Sequence, residues 1–324
     1  NEKDEARIRE YLKEHLPSRA WQQTGFYERL YLYQSYNWYA FISQDFLRYY
    51  RYSQKWLDLF EEQPLMIRVE TGHFIKALHN LLNAHFDLRN HVKFEDILRK
   101  FEDFSKTDRV MENDNFRIQS FVYITTARIN QVFMHGTFRE GLEMVPRIEE
   151  QLAEYDLFID RHRILVLNYK IASLYFGAGD YSTSIDYLQR IINDSQDLRN
   201  DLQCYARVLH LMAHYELGNF DLMESLTKSV YRFMARRERL TKVEEEMFRF
   251  LRTSFQTSRS GMKAEFETFL GKIRRFEGNR YEARAFAYLD IVSWVESKVY
   301  QRPMSEIIAE KYRKSKRRIQ AVEA

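Results

Sequence analysis

The stretch RILVLNYKIASLYFGAGDYSTSIDYLQRIIND, residues Arg163–Asp194, decides the fold. Ile164, Leu167, Ile171 and the pair Leu174/Tyr175 recur at the spacing of one helix face. Gly177-Ala178-Gly179-Asp180 interrupts that period, and Tyr181, Ile185, Leu188 and Ile192 resume it. The break has the chemistry of a tight helix-to-helix connection. A glycine is free to take positive φ, an Asp caps the next helix, and an aromatic residue opens it. Two antiparallel helices are therefore expected here.

The following residues repeat the scheme. Leu202, Ala206, Leu209, Ala213 and Leu217 lead to Gly218-Asn219, after which Phe220, Leu226, Val230 and Phe233 continue the period. Related breaks stand at Gly136-Thr137-Phe138 and, more loosely, at Asn90-His91-Val92 and Ser260-Gly261-Met262. The landmarks 90, 136, 179, 218 and 261 lie 46, 43, 39 and 43 residues apart, and a fixed period of this kind marks a repeat array. Pro64 closes a first hairpin, and Gln301-Arg302-Pro303 turns a last one. About seven hairpins are expected, at 22–62, 65–105, 112–155, 160–195, 200–236, 241–275 and 280–317, in a single domain over 1–324. Pro146, inside the run Arg139–Tyr155, calls for a kink or a helix start.

Ala172, Tyr175, Gly179-Asp180-Tyr181, Ser184 and Leu188 resemble the small, aromatic, Gly-Asp-Tyr, small and large positions of a tetratricopeptide repeat, and Leu217-Gly218-Asn219-Phe220 repeats the middle of it. The other units are degenerate. A standard repeat has about 34 residues, so steps averaging about 43 place the chain among divergent relatives with longer helices or looser connections. Met223 and Gly141 stand where Ser184 has its small side chain, so interhelix spacing should vary. The resemblance implies an all-α, right-handed superhelical α-solenoid whose first helices line a concave face. It also implies a carboxylate clamp of Lys, Arg and Asn on those helices. Only Asn130 stands at a comparable place, with Ser173 and Met212 at the matching positions, so no clamp is expected.

Composition agrees with a helical array. Gly and Pro number 10 and 4, about a third of average usage, which leaves too few breakers for hairpins and sandwiches. A hydrophobic fraction of 45% excludes a disordered chain, and 30% charge suits amphipathic helices. A net charge of +3 gives no general attraction for nucleic acid. Lys311–Arg318 carries six cations in eight residues and reads as a solvated last helix with cations at its C-terminal end. One cysteine, Cys204, cannot form an intrachain disulfide and is expected to be a buried, inert thiol. No apolar run reaches membrane-spanning length and no signal peptide opens the chain, so a cytoplasmic location is expected. Asn rather than Met at position 1 reads as a piece of a longer protein.

Residues for chemistry are not arranged as chemistry requires. Gly177-Ala178-Gly179 follows no strand and lacks the Lys-Ser/Thr of a phosphate loop. His79, His85 and His91 are six apart and point in different directions on a helix, so no metal site is expected. No cofactor and no catalytic residue is expected either. The 46 Phe and Tyr residues are the distinctive feature, densest between Tyr27 and Trp56. Carried over from the turns, the groove-facing register of the first helices includes Tyr31, Trp38, Tyr123, Asn130, Phe133, Tyr169, Phe176, Tyr205, Met212 and Tyr215. Such an aromatic, amphipathic surface fits a peptide or helix from a partner protein. The expectation is a non-catalytic interaction scaffold. The alternative is a ligand- or peptide-sensing domain of a larger regulator. End hairpins offer Trp294, Val295 and Val299 either to the core or to a second copy.

Overall fold

The computed structural model describes residues 2–16, 25–194, 200–237, 240–254, 261–279, 282, 286 and 290–323. Helices dominate, and no strand occurs among the described residues. Gln22, Ser260 and Arg280, which the sequence reading placed at hairpin ends or in a turn, lie outside them, as do the side chains of Lys316, Arg317 and Arg318. The chain divides into two compact units, 1–127 and 128–324.

The first unit comprises α1 (Glu2–His15), α2 (Phe26–Ile42), α3 (Phe46–Glu62), α4 (Leu65–Val69), α5 (Thr71–Asp87), α6 (His91–Ser105), α7 (Asp108–Met111) and the start of α8 (Asp114–His135). Successive long helices pack on one another: α2 on α3, α3 on α5 and α5 on α6. Leu30, Leu57, Phe60, Leu78, Leu81 and Phe94 are fully buried between them.

The second unit continues with α9 (Phe138–Leu142), α10 (Val145–Glu154), α11 (Arg161–Ala178), α12 (Tyr181–Ile192), α13 (Asn200–Glu216), α14 (Phe220–Arg237), α15 (Lys242–Ser254), α16 (Met262–Arg274), α17 (Ile291–Val299) and α18 (Met304–Glu323). Each of α11 to α18 packs on the next, so the helices associate in neighbouring pairs as the spacing implies. Ser184 takes its small-residue role: it is fully buried and its hydroxyl donates to the Ala172 carbonyl of α11 at 2.9 Å. Pro146 lies in the first turn of α10, where its missing N–H costs nothing. Cys204 is buried.

One turn recurs through the chain. Gln44, Arg89, Gly179, Gly218 and Gln301 all have φ between 51° and 87°. The N–H of the residue after each donates to a carbonyl five residues back: Asp45 to Ala40, Asn90 to His85, Asp180 to Tyr175, Asn219 to His214 and Arg302 to Ser297, at 2.9–3.1 Å. This is the Schellman closure, which satisfies carbonyls left open at a helix end. Asp45, Asn90 and Asp180 then cap the next helix by accepting from the N–H of Arg48, Lys93 and Thr183. Three of these five turn residues are not glycine; the sequence still marked the breaks at Asn90 and Gln301, and left the one at Gln44 unmarked. Gly261 differs: with φ −84° it is a right-handed N-cap of α16 and closes no such turn.

The second unit also departs from simple stacking. In an ideal array each repeat touches only its neighbours, but α18 reaches back to α11 and to the turn after α8. Gly136, at φ 75°, lies so close that an added Cβ would stand 2.4 Å from the Ser305 carbonyl oxygen. His135 and Tyr312 rings meet at 4.3 Å. Gly177 presses on the Phe138 ring, which an added Cβ would meet at 2.3 Å. Trp294 and Val295, whose place the sequence left open, are buried within this unit, and the Trp294 indole N–H donates to Glu216 at 2.6 Å.

Two outcomes follow. Gly179→Ala has open space for its Cβ and is expected to cost only the left-handed strain, about 1 kcal/mol. Gly136→Ala adds a backbone collision and should cost about 3 kcal/mol or more, whereas Gln44→Gly should stabilise by roughly 0.5 kcal/mol; urea denaturation ranks the three. The second concerns His85, buried beside Tyr50, with no hydrogen-bond partner on Nδ1. Burial, aided by Lys93, lowers its pKa to about 4. The unfolded state then binds a proton first, near the ordinary histidine value of about 6.5. This contribution is present above that pH and lost as pH falls towards 4. His85→Gln is expected to flatten that part of the stability–pH curve, measured by thermal unfolding between pH 7 and 4.5.

Candidate functional site

Of the ten positions assigned to the groove, five are buried, Tyr123, Phe133 and Tyr215 are half-buried, and two are exposed. Asn130, Tyr169, Phe176, Tyr205 and Met212, all in the second unit, are buried. Their surface is taken up by the protein itself. The Asn130 side-chain oxygen accepts from the Lys170 ammonium, and the same ammonium lies 5.5 Å above the Phe133 ring. Tyr215 is half-buried, edge-on to Phe220, Phe266 and Trp294 at about 6 Å. Burial and the adjacent Glu216 carboxylate raise its phenol to about 12. In the first unit Tyr123 stacks on His79 at 3.8 Å.

Tyr31 and Trp38 are the exposed members, at 55% and 63%. Both stand on α2, whose sequence explains why they face outward. Leu30, Asn37 and Ala40 occupy the inner face against α3, where Asn37 donates to the Ser53 hydroxyl at 2.6 Å and Tyr49 donates to Asn80 at 3.0 Å. Residues three and four apart share a helix face. Tyr27, Tyr31, Trp38 and Ile42 therefore form one outer stripe, all exposed, with Phe41 beside it. Leu30 to Gln44 contains no Asp, Glu, Lys or Arg. Isolated apolar residues are ordinary on a surface, but a contiguous uncharged stripe of this kind marks an interaction site.

The stripe is fixed at one end and open at the other. The Tyr27 hydroxyl donates to Glu70 at 2.9 Å, and that hydrogen bond raises its pKa. Glu70 also pairs with His73 at 2.9 Å, and the His73 ring meets Tyr31 edge-on at 6.3 Å. Tyr27 and Tyr31 are thus held in place by α5. Towards the other end, Trp38, Tyr39 and Ile42 line a space of about 810 Å³ that they share with Ile8, Tyr11 and Leu12 of α1. Ile8, Tyr11 and Leu12 are spaced three and four apart, so one face of α1 addresses this end of α2.

Elsewhere, Lys311 pairs with Glu296 at 2.7 Å and Lys314 with Glu310 at 2.6 Å, so part of the basic segment is engaged within the chain. Among the described residues no three His, Cys, Asp or Glu side chains come together in a group that could hold a metal ion, and no helix is long and apolar enough to cross a membrane.

Fold and surface together define an all-helical protein of paired helices with one uncharged aromatic helix face. No family model, curated protein or solved structure matches the chain.

The buried and the exposed positions separate experimentally. Tyr205→Ala, which empties a buried site, is expected to cost about 3 kcal/mol of stability. Trp38→Ala, on the open face, should cost under about 1 kcal/mol. Chemical denaturation of both variants checks the assignment.

Proposed function

We propose that this chain is a divergent, tetratricopeptide-like α-solenoid that serves as a non-catalytic scaffold in the cytoplasm and takes a helix from a partner protein on the outer face of α2. One observation carries the reading: the uncharged stripe Tyr27, Tyr31, Trp38 and Ile42 is addressed at its open end by an amphipathic helix of the chain's own. The stripe spans 16 residues of helix, roughly 22 Å, enough for four turns of a partner. Rigid aromatic side chains lose little entropy on binding and supply large contact areas, which is why they concentrate in recognition surfaces. A partner helix would place apolar residues at i, i+4, i+7 and i+11 on them.

The concave groove expected from the repeat register is narrowed by this reading to α2, because Tyr169, Phe176, Tyr205 and Met212 have no free surface to offer. A helical partner is favoured over an extended peptide for a physical reason. A bound strand needs an unpaired backbone edge, and α2 presents only side chains.

Selection of displayed 20-residue peptides on the immobilised full chain tests the proposal. Peptides with helical apolar periodicity should be enriched, and Trp38→Ala should weaken the best of them by about tenfold or more while circular dichroism is unchanged. Enrichment of no helical pattern, or binding unaffected by Trp38→Ala, would overturn it. A dimer of the free chain that Trp38→Ala dissolves would instead assign the face to a second copy.

A further inference from the structure

The second unit holds a cavity of about 450 Å³ where three turns that are distant in sequence converge. Its walls are the turn after α8, the turn after α11, and the connection from α17 into α18. Two of the seams between these walls are the glycine contacts described above, Gly136 on Ser305 and Gly177 on Phe138. Contacts that close admit no larger side chain, so the space is built into the packing, and its size falls in the range of small-molecule sites.

Chemistry of the lining selects the occupant. Half-buried Tyr181 gives it an aromatic wall, and Phe138, Phe176 and Trp294, each 95% or more buried, also line it. Lys298 also lines it, but its ammonium is held by Glu216, the buried carboxylate that accepts from Trp294. That ion pair belongs to the wall. Two guanidinium groups remain, Arg139 from one side and Arg302 from another. Arg302 is shared between Glu306 and Glu310 on an exposed surface, where ion pairs contribute little and exchange partners readily. Arg139 has no ion-pair partner among the described residues. Guanidinium is the side chain best matched to a carboxylate, which it holds through two parallel hydrogen bonds. Glu140 and Glu306 face the same space, and their negative charge disfavours a phosphate dianion relative to a single carboxylate.

We propose that this cavity binds a small aromatic acid, its ring against Tyr181 and its carboxylate on Arg139 and Arg302. The site lies wholly in the second unit and is independent of the α2 face. A ligand there would bridge α9, α11 and α18, and so would tighten the contact that joins the last helix pair to the first helices of this unit.

The test uses the full chain labelled with 5-fluorotryptophan, its Trp294 resonance assigned through Trp294→Phe. 3-Phenylpropanoate, 3-phenylpropanamide and inorganic phosphate serve as probes, each titrated by fluorine NMR to about 10 mM, above the millimolar Kd of a weak ligand. Saturable movement of Trp294 by the acid, with Trp38 unmoved and with binding weakened about tenfold or more in Arg139→Gln, would support the site. Arg139 is exposed, so this variant should fold, and circular dichroism verifies it. Arg302→Gln should weaken the acid as well. No response of Trp294 to the acid, equal binding of the amide, a response to phosphate as large as to the acid, or undiminished binding by Arg139→Gln would each overturn the proposal.

Discussion

The turn that reverses the chain between paired helices is the constraint on which the rest depends. A helix ends with carbonyls that must find donors, and the next helix begins with N–H groups that must find acceptors. Here a left-handed residue followed by an Asp or Asn meets both needs within a few atoms. Asp180 shows the economy: its N–H closes α11 on the Tyr175 carbonyl, and its carboxylate opens α12 on the Thr183 N–H. Because little backbone is left for water to solvate, α11 and α12 lie directly against each other. Ser184 can then be fully buried against the α11 backbone, and the aliphatic rows of both helices form one core.

Buried charge organises the far end of the second unit. Glu216, Glu282 and Glu296 are each largely removed from water and each meets a donor. Glu216 accepts from Trp294 and Lys298, Glu282 from the Val243 N–H at the start of α15, and Glu296 faces Arg274 and Lys311. Burying an ion pair is costly, and replacing it by apolar packing is often neutral or stabilising. Its value lies in direction. An apolar core tolerates small rotations, whereas a carboxylate with two fixed donors accepts one arrangement of the elements that bear them. Burial, together with the Glu216 carboxylate beside it, raises the phenol of Tyr181 well above its usual value, which keeps that hydroxyl a donor.

Much of the helical plan was legible because two turns spell it openly. Gly179-Asp180-Tyr181 and Gly218-Asn219-Phe220 combine a residue made for positive φ with a cap, and the apolar period on either side is unbroken. Gln44 and Arg89 take the same φ without glycine; Asn90 marks the second of these breaks loosely, and no glycine marks the first. The surface was harder to read. Turn register tells which side of a helix faces its hairpin partner but not what the following helices cover. Tyr169 and Tyr205 were placed on an open groove by that register and lie in the interior. Tyr31 and Trp38 obey the same rule and stay exposed. The Trp294–Glu216 and Gly136–Ser305 contacts join positions that no local pattern links.

The Gly136–Ser305 contact also bears on how the second unit comes to be folded. A strictly sequential array can grow helix by helix as the chain emerges, each repeat stabilised by the one before. Here a seam joins backbone about 170 residues apart, and such distant pairings slow folding, because loop closure must be paid before they form. The surfaces of α11 and of the turn at Gly136 that α18 covers therefore stay open until α18 has been synthesised.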